Sequence, residues 1–483
     1  MSGKPVSESE ILIGKRPRFK SAELVLPCGM LDQIKRYLFA DTSREYACYL
    51  LCGHVKIGQT LRLLGCFLVL PEPADYDSQS LGHVRLRRDL LIQVLQECER
   101  HGLSLIDIHS HPFASHSVHF SSIDEQDEQE KAAWFAAHLP HAYYGSIVLG
   151  RDSHNARIRS ADGSMIELDL PIRSVQAPLG TRRAKTAASG GKTLPFLDRQ
   201  VRAFGAAGQM RIAEAHFAII GLGGIGAGLA IGLGRLGATQ FTLIDPDTAE
   251  PHNLNRVMGM TATDAKLHLK KTDIVARELL SINPKNRCRL VDKSVLDRTA
   301  WRALLRADLI ITTTDNHASR MLLNVISHMF LIPQISIGTV IDARDGKVEG
   351  GYGHVFVLLP GHGRPCPVCA RIINPVEAYY ETASPEHRRE AARRGYIANV
   401  DEPAPAVVHL NGVVTHLALV EIHNLFCAFK EPAQHLLYDM FEQEIVTIAE
   451  GERQCATCSP GGGYFGRGDL VRLTDLFKEL RAQ

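Results

Sequence analysis

Residues 216–220, HFAII, form a short apolar run. It opens into Gly221-Leu222-Gly223-Gly224-Ile225-Gly226 and then into a long apolar stretch that reads as a helix. A strand feeding a helix through such a loop commits this part of the chain to an open parallel α/β sheet. The glycines let backbone approach phosphate oxygens, and the helix N-terminus supplies positive potential. Residues 240–244 and 309–313 read as further strands, and Asp245 follows the first of them, nineteen residues beyond Gly226, placed for a ribose hydroxyl. On these residues alone NAD fits as well as ATP.

The residues downstream separate the two. DPDTAEPHNLNR supplies Asn253 and Arg256, Lys271 stands eleven residues before Ile282-Asn283-Pro284, and TTTDN supplies Asp315. A dehydrogenase has no use for this set. An enzyme that transfers adenylate does: Arg and Lys neutralise a triphosphate and its transition state, and an Asp holds Mg²⁺. Over about residues 194–460 the chain resembles the adenylating domain shared by ubiquitin-activating enzymes and the bacterial ThiF-like enzymes that activate sulfur carriers. The resemblance implies ATP and Mg²⁺ as cofactors, with phosphates on Asn253, Arg256 and Lys271, ribose on Asp245 and magnesium on Asp315. It also implies that Arg199, of the pair Arg199-Gln200, reaches the ATP of a partner subunit, and hence a homodimer.

A second constellation lies near the N-terminus. Apolar residues 103–108 run into His109-Ser110-His111-Pro112, and Ser121-Ser122-Ile123-Asp124 follows. Side chains alternate along a strand, so His109 and His111 share a face. With Asp124 they make a three-ligand zinc site with a fourth position open, the pattern of catalytic zinc. Zinc lowers the pKa of a bound water from about 16 to about 7, and Glu45 is placed upstream as general base. Ser121 is a candidate donor to an oxyanion. These residues resemble the JAMM zinc isopeptidases of the MPN fold over roughly residues 20–170. Eight residues separate Pro112 from Ser121, and they contain His116 and His119, further candidate ligands.

Cys366-Pro367-Val368-Cys369 and Cys455-Ala456-Thr457-Cys458 are paired CxxC knuckles, the signal of a structural zinc held by four thiolates. Between Cys369 and Cys427 there is no cysteine, and Cys427 ends an apolar stretch. A thioester on the segment where ubiquitin-activating enzymes carry their catalytic cysteine is therefore not expected. The acyl adenylate would pass to a sulfur donor or to the cysteine of a conjugating enzyme.

The remaining sequence sets the frame. The 483 residues suffice for two or three domains, with 45% apolar and 22% charged residues. A net charge of +1 gives no sign of a nucleic-acid partner. No apolar run of about 18 residues is present, so no membrane span is expected, and neither is a signal peptide. A cytoplasmic protein follows, its eleven cysteines thiols and metal ligands rather than disulfides. Residues 1–20 read as a loose arm. Residues 31–39, 86–100 and a stretch from about 124 read as helices, and 47–51, 61–70, 144–149 and 165–170 as strands.

The boundaries are then 1–175 for an α+β MPN/JAMM domain, 176–193 for a Gly/Ala/Ser-rich linker that leaves it free to swing or dock, and 194–483 for an α/β Rossmann-like adenylating domain with its four-cysteine zinc knuckle. Fusions of this kind resemble proteins of bacterial ubiquitin-like conjugation operons. The expected function is zinc-dependent cleavage at, and ATP-dependent adenylation of, the C-terminus of a ubiquitin-like β-grasp protein. The alternative is activation of a sulfur carrier for cofactor or cysteine synthesis. A non-catalytic scaffold and an oxidoreductase stand further back.

Overall fold

The computed structural model describes residues 19–159, 165–168, 172–180, 194–395, 397, 405–448, 451 and 454–471. Most of the expected N-terminal arm, and residues 181–193 of the expected linker, lie outside the described residues.

The N-terminal unit contains strands β1 Ser21–Leu26, β2 Ala47–Ile57, β3 Thr60–Val69, β4 Tyr76–Ser80, β5 His83–Leu86, β6 Ser104–Ser110, β7 Tyr144–Leu149, β8 His154–Arg159, β9 Met165–Leu168 and β10 Ile172–Ser174, with helices α1 Met30–Leu38, α2 Arg88–His101 and α3 Ser122–His138. Eight strands form one mixed sheet in the order β10-β1-β3-β2-β6-β7-β8-β9, and β4–β5 is a separate hairpin. Strand alternation sends Cys48 and Leu50 of β2 to one face, where they meet Ile34 and Leu38 of α1. Tyr49 and Leu51 go to the other, where they meet Val94 of α2 and Phe135 of α3. Burial on both faces turns β2 into a continuous apolar run rather than an alternating one.

The C-terminal unit contains β11 His216–Ile220, β12 Gln240–Ile244, β13 Arg287–Val291, β14 Leu309–Thr312, β15 Gln334–Arg344, β16 Lys347–Leu358, β17 His435–Asp439 and β18 Glu444–Thr447. Its helices are α4 Asp198–Phe204, α5 Ala206–Glu214, α6 Gly224–Arg235, α7 Ala262–Lys266, α8 Lys271–Ile282, α9 Arg298–Ala303, α10 His317–Phe330, α11 Pro375–Glu381, α12 Pro385–Arg393 and α13 Val408–Cys427. The strand order is β13-β12-β11-β14-β15-β16-β17-β18. The first five are parallel and the last three antiparallel, so the expected parallel sheet is corrected at this edge. The cause is local. Asp345 and Gly346 both have positive φ, and this two-residue turn folds β16 straight back on β15.

The two units are packed on each other. Val25, Val55, Leu64, Val175 and Leu179 belong to the same buried cluster as the β11–β14 core. Arg173 pairs with Asp308 at 2.9 Å. Cys28 N donates to Pro360 O at 2.9 Å, and Leu179 N to Leu425 O at 2.7 Å. Residues 176–180, read as the start of a flexible linker, instead run along the interface, because Leu179 finds an apolar site there. Among the described residues no helix is long and apolar enough to cross a membrane.

Candidate functional site

The glycine loop closes between β11 and α6. Gly221 has φ +87°, a left-handed conformation that favours glycine. A Cβ on Gly226 would stand 1.9 Å from the Gly221 carbonyl oxygen and 2.7 Å from Thr313 Oγ1, whereas one on Gly223 would meet nothing within 4 Å. Gly223 therefore borders open space while Gly226 is hemmed in by backbone. Thr313 Oγ1 donates to Gly221 O at 2.7 Å and holds the turn. Gly226→Ala is expected to force the turn open, costing about 1–3 kcal/mol. The check is thermal unfolding together with ATP titration: a lower Tm and lost binding are the expected outcome.

Asp245, at the end of β12, is 4% exposed. Its Oδ2 accepts from Leu222 N at 2.5 Å and its Oδ1 from Asp247 N at 2.9 Å, tying the loop to the acid. Burial raises its pKa, and Lys271 works in the opposite direction. Lys271 opens α8 and places Nζ 2.8 Å from Asp247 Oδ2. Asn253 is buried at the end of a short 3₁₀ turn, its Oδ1 accepting from Glu250 N at 3.2 Å. Arg256 lies across the loop: a Cβ on Gly224 would stand 3.3 Å from its Cγ. Its Nη1 donates to His252 O at 2.6 Å.

Asp315 is exposed in the loop after β14, two residues past Thr313. The fold thus gathers these residues at the C-terminal ends of neighbouring strands, where open α/β sheets bind ligands. Arg199 is exposed on α4, while Gln200 turns inward and donates to Leu236 O at 2.9 Å. Sequence reasoning missed Asp247, Thr313 and Asn411. The last presses on the loop from α13: a Cβ on Gly224 would stand 2.4 Å from its Nδ2. Thr313 and Asp247 sit beside residues already singled out, but nothing local marks Asn411.

In the N-terminal unit, His109 and His111 leave the end of β6 on one face, and Asp124 comes from the first turn of α3. His109 Nε2 is 3.4 Å from Asp124 Oδ1, His111 Nε2 is 3.9 Å from Asp124 Oδ2, and His111 Nε2 is 3.7 Å from Glu45 Oε1. Zinc bonds of about 2.0–2.2 Å in a tetrahedron put neighbouring donors roughly 3.3–3.5 Å apart, close to this spacing. Among the described residues the buried His109 Nε2 has no hydrogen-bond partner, as a ligand nitrogen facing a metal would not. The residues fit zinc.

His116 and His119 do not join the donor group formed by His109, His111 and Asp124. Both are exposed, and His119 Nε2 contacts Ser117 Oγ at 2.8 Å. The long 113–120 segment is absorbed by anchoring on the β7–β8 turn. Arg151 Nε donates to Pro112 O at 3.1 Å, Arg151 N donates to Ala114 O at 3.0 Å, and Val118 is buried.

Ser121 is the N-cap of α3. Its hydroxyl accepts from Asp124 N at 3.2 Å, and Asp124 Oδ2 accepts from Ser121 N at 2.6 Å. The cap uses the oxygen and leaves the hydroxyl proton available to a ligand.

Glu45 is 3% exposed and held through its backbone. Its N donates to Ser80 O at 2.8 Å, and its carbonyl accepts from Gln79 Nε2 at 3.0 Å, both on the β4–β5 hairpin. Burial, opposed by His109 and aided by Asp124, pushes its pKa up to about 7. Burial and the His109 charge push His111 down to about 4, so its imidazole is neutral and able to ligate at neutral pH. Burial opposes the charged form of His109, but Asp124 outweighs it and raises the pKa.

The third cluster is the cysteine tetrad. Cys366–Cys455, Cys369–Cys458 and Cys455–Cys458 sulfurs are each 3.8 Å apart. Zinc–sulfur bonds of about 2.3 Å in a tetrahedron put neighbouring sulfurs about 3.8 Å apart. These residues fit a structural zinc, with Asn324 Nδ2 donating to Cys366 Sγ at 3.6 Å.

The ThiF family matches residues 197–459. The chain belongs to this family. Among curated relatives it is 31% identical over 170 residues to the sulfur carrier protein ThiS adenylyltransferase of Bacillus subtilis, covering 34% of this chain and 46% of that protein. It is also 31% identical over 172 residues to the adenylyltransferase and sulfurtransferase MOCS3 of Drosophila willistoni, covering 36% of this chain and 35% of that protein. The chain thus spans less than half the length of these relatives. The solved structure of E. coli MccB with ATP has a TM-score of 0.44 and 20% identity, covering 56% of this chain and 76% of that one. The ThiF match covers the Rossmann-like α/β unit, which carries the glycine loop and the tetrad, and does not extend to the histidine site.

Proposed function

We propose that the C-terminal unit is an ATP-dependent adenylyltransferase acting on the C-terminal carboxylate of a sulfur-carrier or ubiquitin-like β-grasp protein. The observation that carries this reading is the gathering of Gly223, Asp245, Asn253, Arg256 and Lys271 around one loop within the ThiF match. The names of the relatives favour the sulfur-carrier form. A carboxylate oxygen of the carrier bonds to the α-phosphorus of ATP, the bond to the bridging oxygen breaks, and pyrophosphate leaves. Arg256 and Lys271 neutralise the phosphates, Asp245 orients the ribose, and Asp315 would hold Mg²⁺.

Arg199, exposed on α4, would reach the nucleotide of a second copy in a homodimer. Cys427 has its pKa raised by burial and is a poor acyl acceptor. The adenylate therefore goes to an external sulfur donor or to the cysteine of a conjugating enzyme. The test is ATP–pyrophosphate exchange with a carrier whose terminal glycine is exposed, followed by mass spectrometry with a sulfur donor. Carrier-dependent exchange and a thiocarboxylate are expected. Exchange without a thiocarboxylate, and a carrier bond to a conjugating enzyme instead, would move the reading to protein conjugation. No exchange at all would end it.

A second reading concerns the N-terminal unit. We propose that it is a JAMM-type zinc peptidase of the MPN fold that cuts after the carrier's terminal glycine. The three donors beside Glu45 favour it. Zinc would be held by His109, His111 and Asp124 and would supply Lewis acidity. Glu45 takes the proton of the attacking water and returns it to the leaving amine, and Ser121 donates to the oxyanion. The N-terminal boundary near residue 175 and the C-terminal one near 194 are part of this two-enzyme reading.

A further inference from the structure

The stretch 454–471 contains no helix or strand. It begins with Cys455 and Cys458, half of the tetrad. Shortly after, Tyr464 and Phe465 are buried in the core of the C-terminal unit. Gly466 N donates to His328 O and Gly468 N to Met329 O, each at 3.0 Å, at the end of α10.

The opposite side of the same segment faces the N-terminal sheet. Gly466 O accepts from Cys66 Sγ of β3 at 2.9 Å. Asp469 N donates to His54 O of β2 at 2.8 Å, and Asp469 Oδ2 accepts from Lys56 N at 3.2 Å. The Arg467 guanidinium sits 5.2 Å from the centre of the Phe67 ring. Asp469 Oδ1 also pairs with Arg302 Nη1 of α9 at 3.3 Å. The fit leaves no slack. A Cβ on Gly53 would stand 2.1 Å from Gly466 O, and one on Gly468 would stand 2.2 Å from His54 O. Residues 464–470 are a strap bonded to both units.

We propose that metal at the four cysteines fastens this strap, so that loading of the tetrad controls how firmly the N-terminal unit is docked on the C-terminal one. The proposal rests on the reading of the tetrad as a zinc site. Cys366 and Cys369 belong to the body of the C-terminal unit, and Cys455 and Cys458 to the segment that leads into the strap. A metal joining the two pairs pins an otherwise irregular segment to the body. A tight turn then carries that constraint forward: Gly462 N donates to Ser459 O at 2.8 Å, and a Cβ on Gly462 would stand 1.9 Å from Ala456 O. Without metal, four thiols replace the cross-link. The strap then relies on hydrogen bonds at an interface, the kind of contact that opens locally first. The tetrad, distant in sequence from the glycine loop, acquires a role in holding the two units together.

The test is residue-resolved hydrogen exchange on the full-length protein and two variants, with metal counted by native mass spectrometry. Cys455→Ser should lose one zinc and keep the other. Amide protection at Lys56, Gly466, Gly468 and Asp469 should fall at least tenfold, while Ile106, Ile147 and Leu229 inside the two units stay protected. Gly53→Val attacks the same contact from the other side: strap protection should fall in the same way with both zinc ions retained. Metal lost from Cys455→Ser with strap protection unchanged would overturn the proposal and leave the zinc reading intact. Wild-type protein with a protected strap and no metal at the cysteines would overturn both.

Discussion

Lys271→Ala lowers carrier-dependent ATP–pyrophosphate exchange by about 10²–10³-fold, the usual loss when one charged group facing a reacting phosphate or oxyanion is removed. The expectation comes from how Lys271 is held. It is 8% exposed at the first position of α8, and its ion-pair partner, Asp247, has a side chain 62% exposed. An ammonium buried on the protein side and facing a solvated carboxylate can turn to a polyanion without breaking the fold. Removing it should leave Tm within a few degrees, because the lost pair is half exposed and such pairs contribute about 0–1 kcal/mol. Exchange rate and thermal unfolding on one sample check this. Undiminished exchange would remove Lys271 from the phosphate site.

Glu45→Gln abolishes cleavage of a carrier extended beyond its terminal glycine, by about 10²–10⁴-fold, the range for a positioned acid–base group. Zinc content and exchange activity stay unchanged. Gln keeps the shape of Glu45 and its backbone bonds to Gln79 and Ser80, so only proton transfer is removed. His109→Ala is the complementary variant, losing the N-terminal zinc along with activity. The two variants separate metal binding from proton transfer: cleavage lost in His109→Ala and retained in Glu45→Gln would keep the metal site and discard the base. Full cleavage by both would discard the peptidase reading of the N-terminal unit.

Much of both candidate sites was legible because their chemistry is written in short spacings. His109 and His111 share a face through the two-residue period of a strand. Ser121 and Asp124 form the capping box that starts α3, so the same four residues that mark a helix start also deliver a candidate ligand. The glycine loop is legible for a similar reason, since Gly221 is favoured by its left-handed φ and Gly226 by the Gly221 carbonyl five residues before it.

Other features were not legible. The β4–β5 hairpin that holds Glu45 is mostly polar and carries no apolar period to find. The antiparallel return of β16 on β15 hangs on one Asp345-Gly346 turn, a signal that was present and unused. His116 and His119 looked like further candidate ligands beside His109 and His111, because nothing local reveals that the 113–120 segment folds onto Arg151.

The sequence alone determined which groups the chain possesses and, over spans of two to four residues, which way they point. Strand alternation, helix caps and glycine turns are set by covalent geometry acting over that distance. The tertiary structure decided which distant groups meet. Asp124 comes to His109 because α3 packs on the sheet, Asn411 reaches the glycine loop because α13 crosses it, and the C-terminal strap seats against β2 because Gly53 leaves room for it. These meetings depend on burying apolar surface from separate segments at once. No spacing along one segment encodes that, and the docking of the two units followed from the same cause.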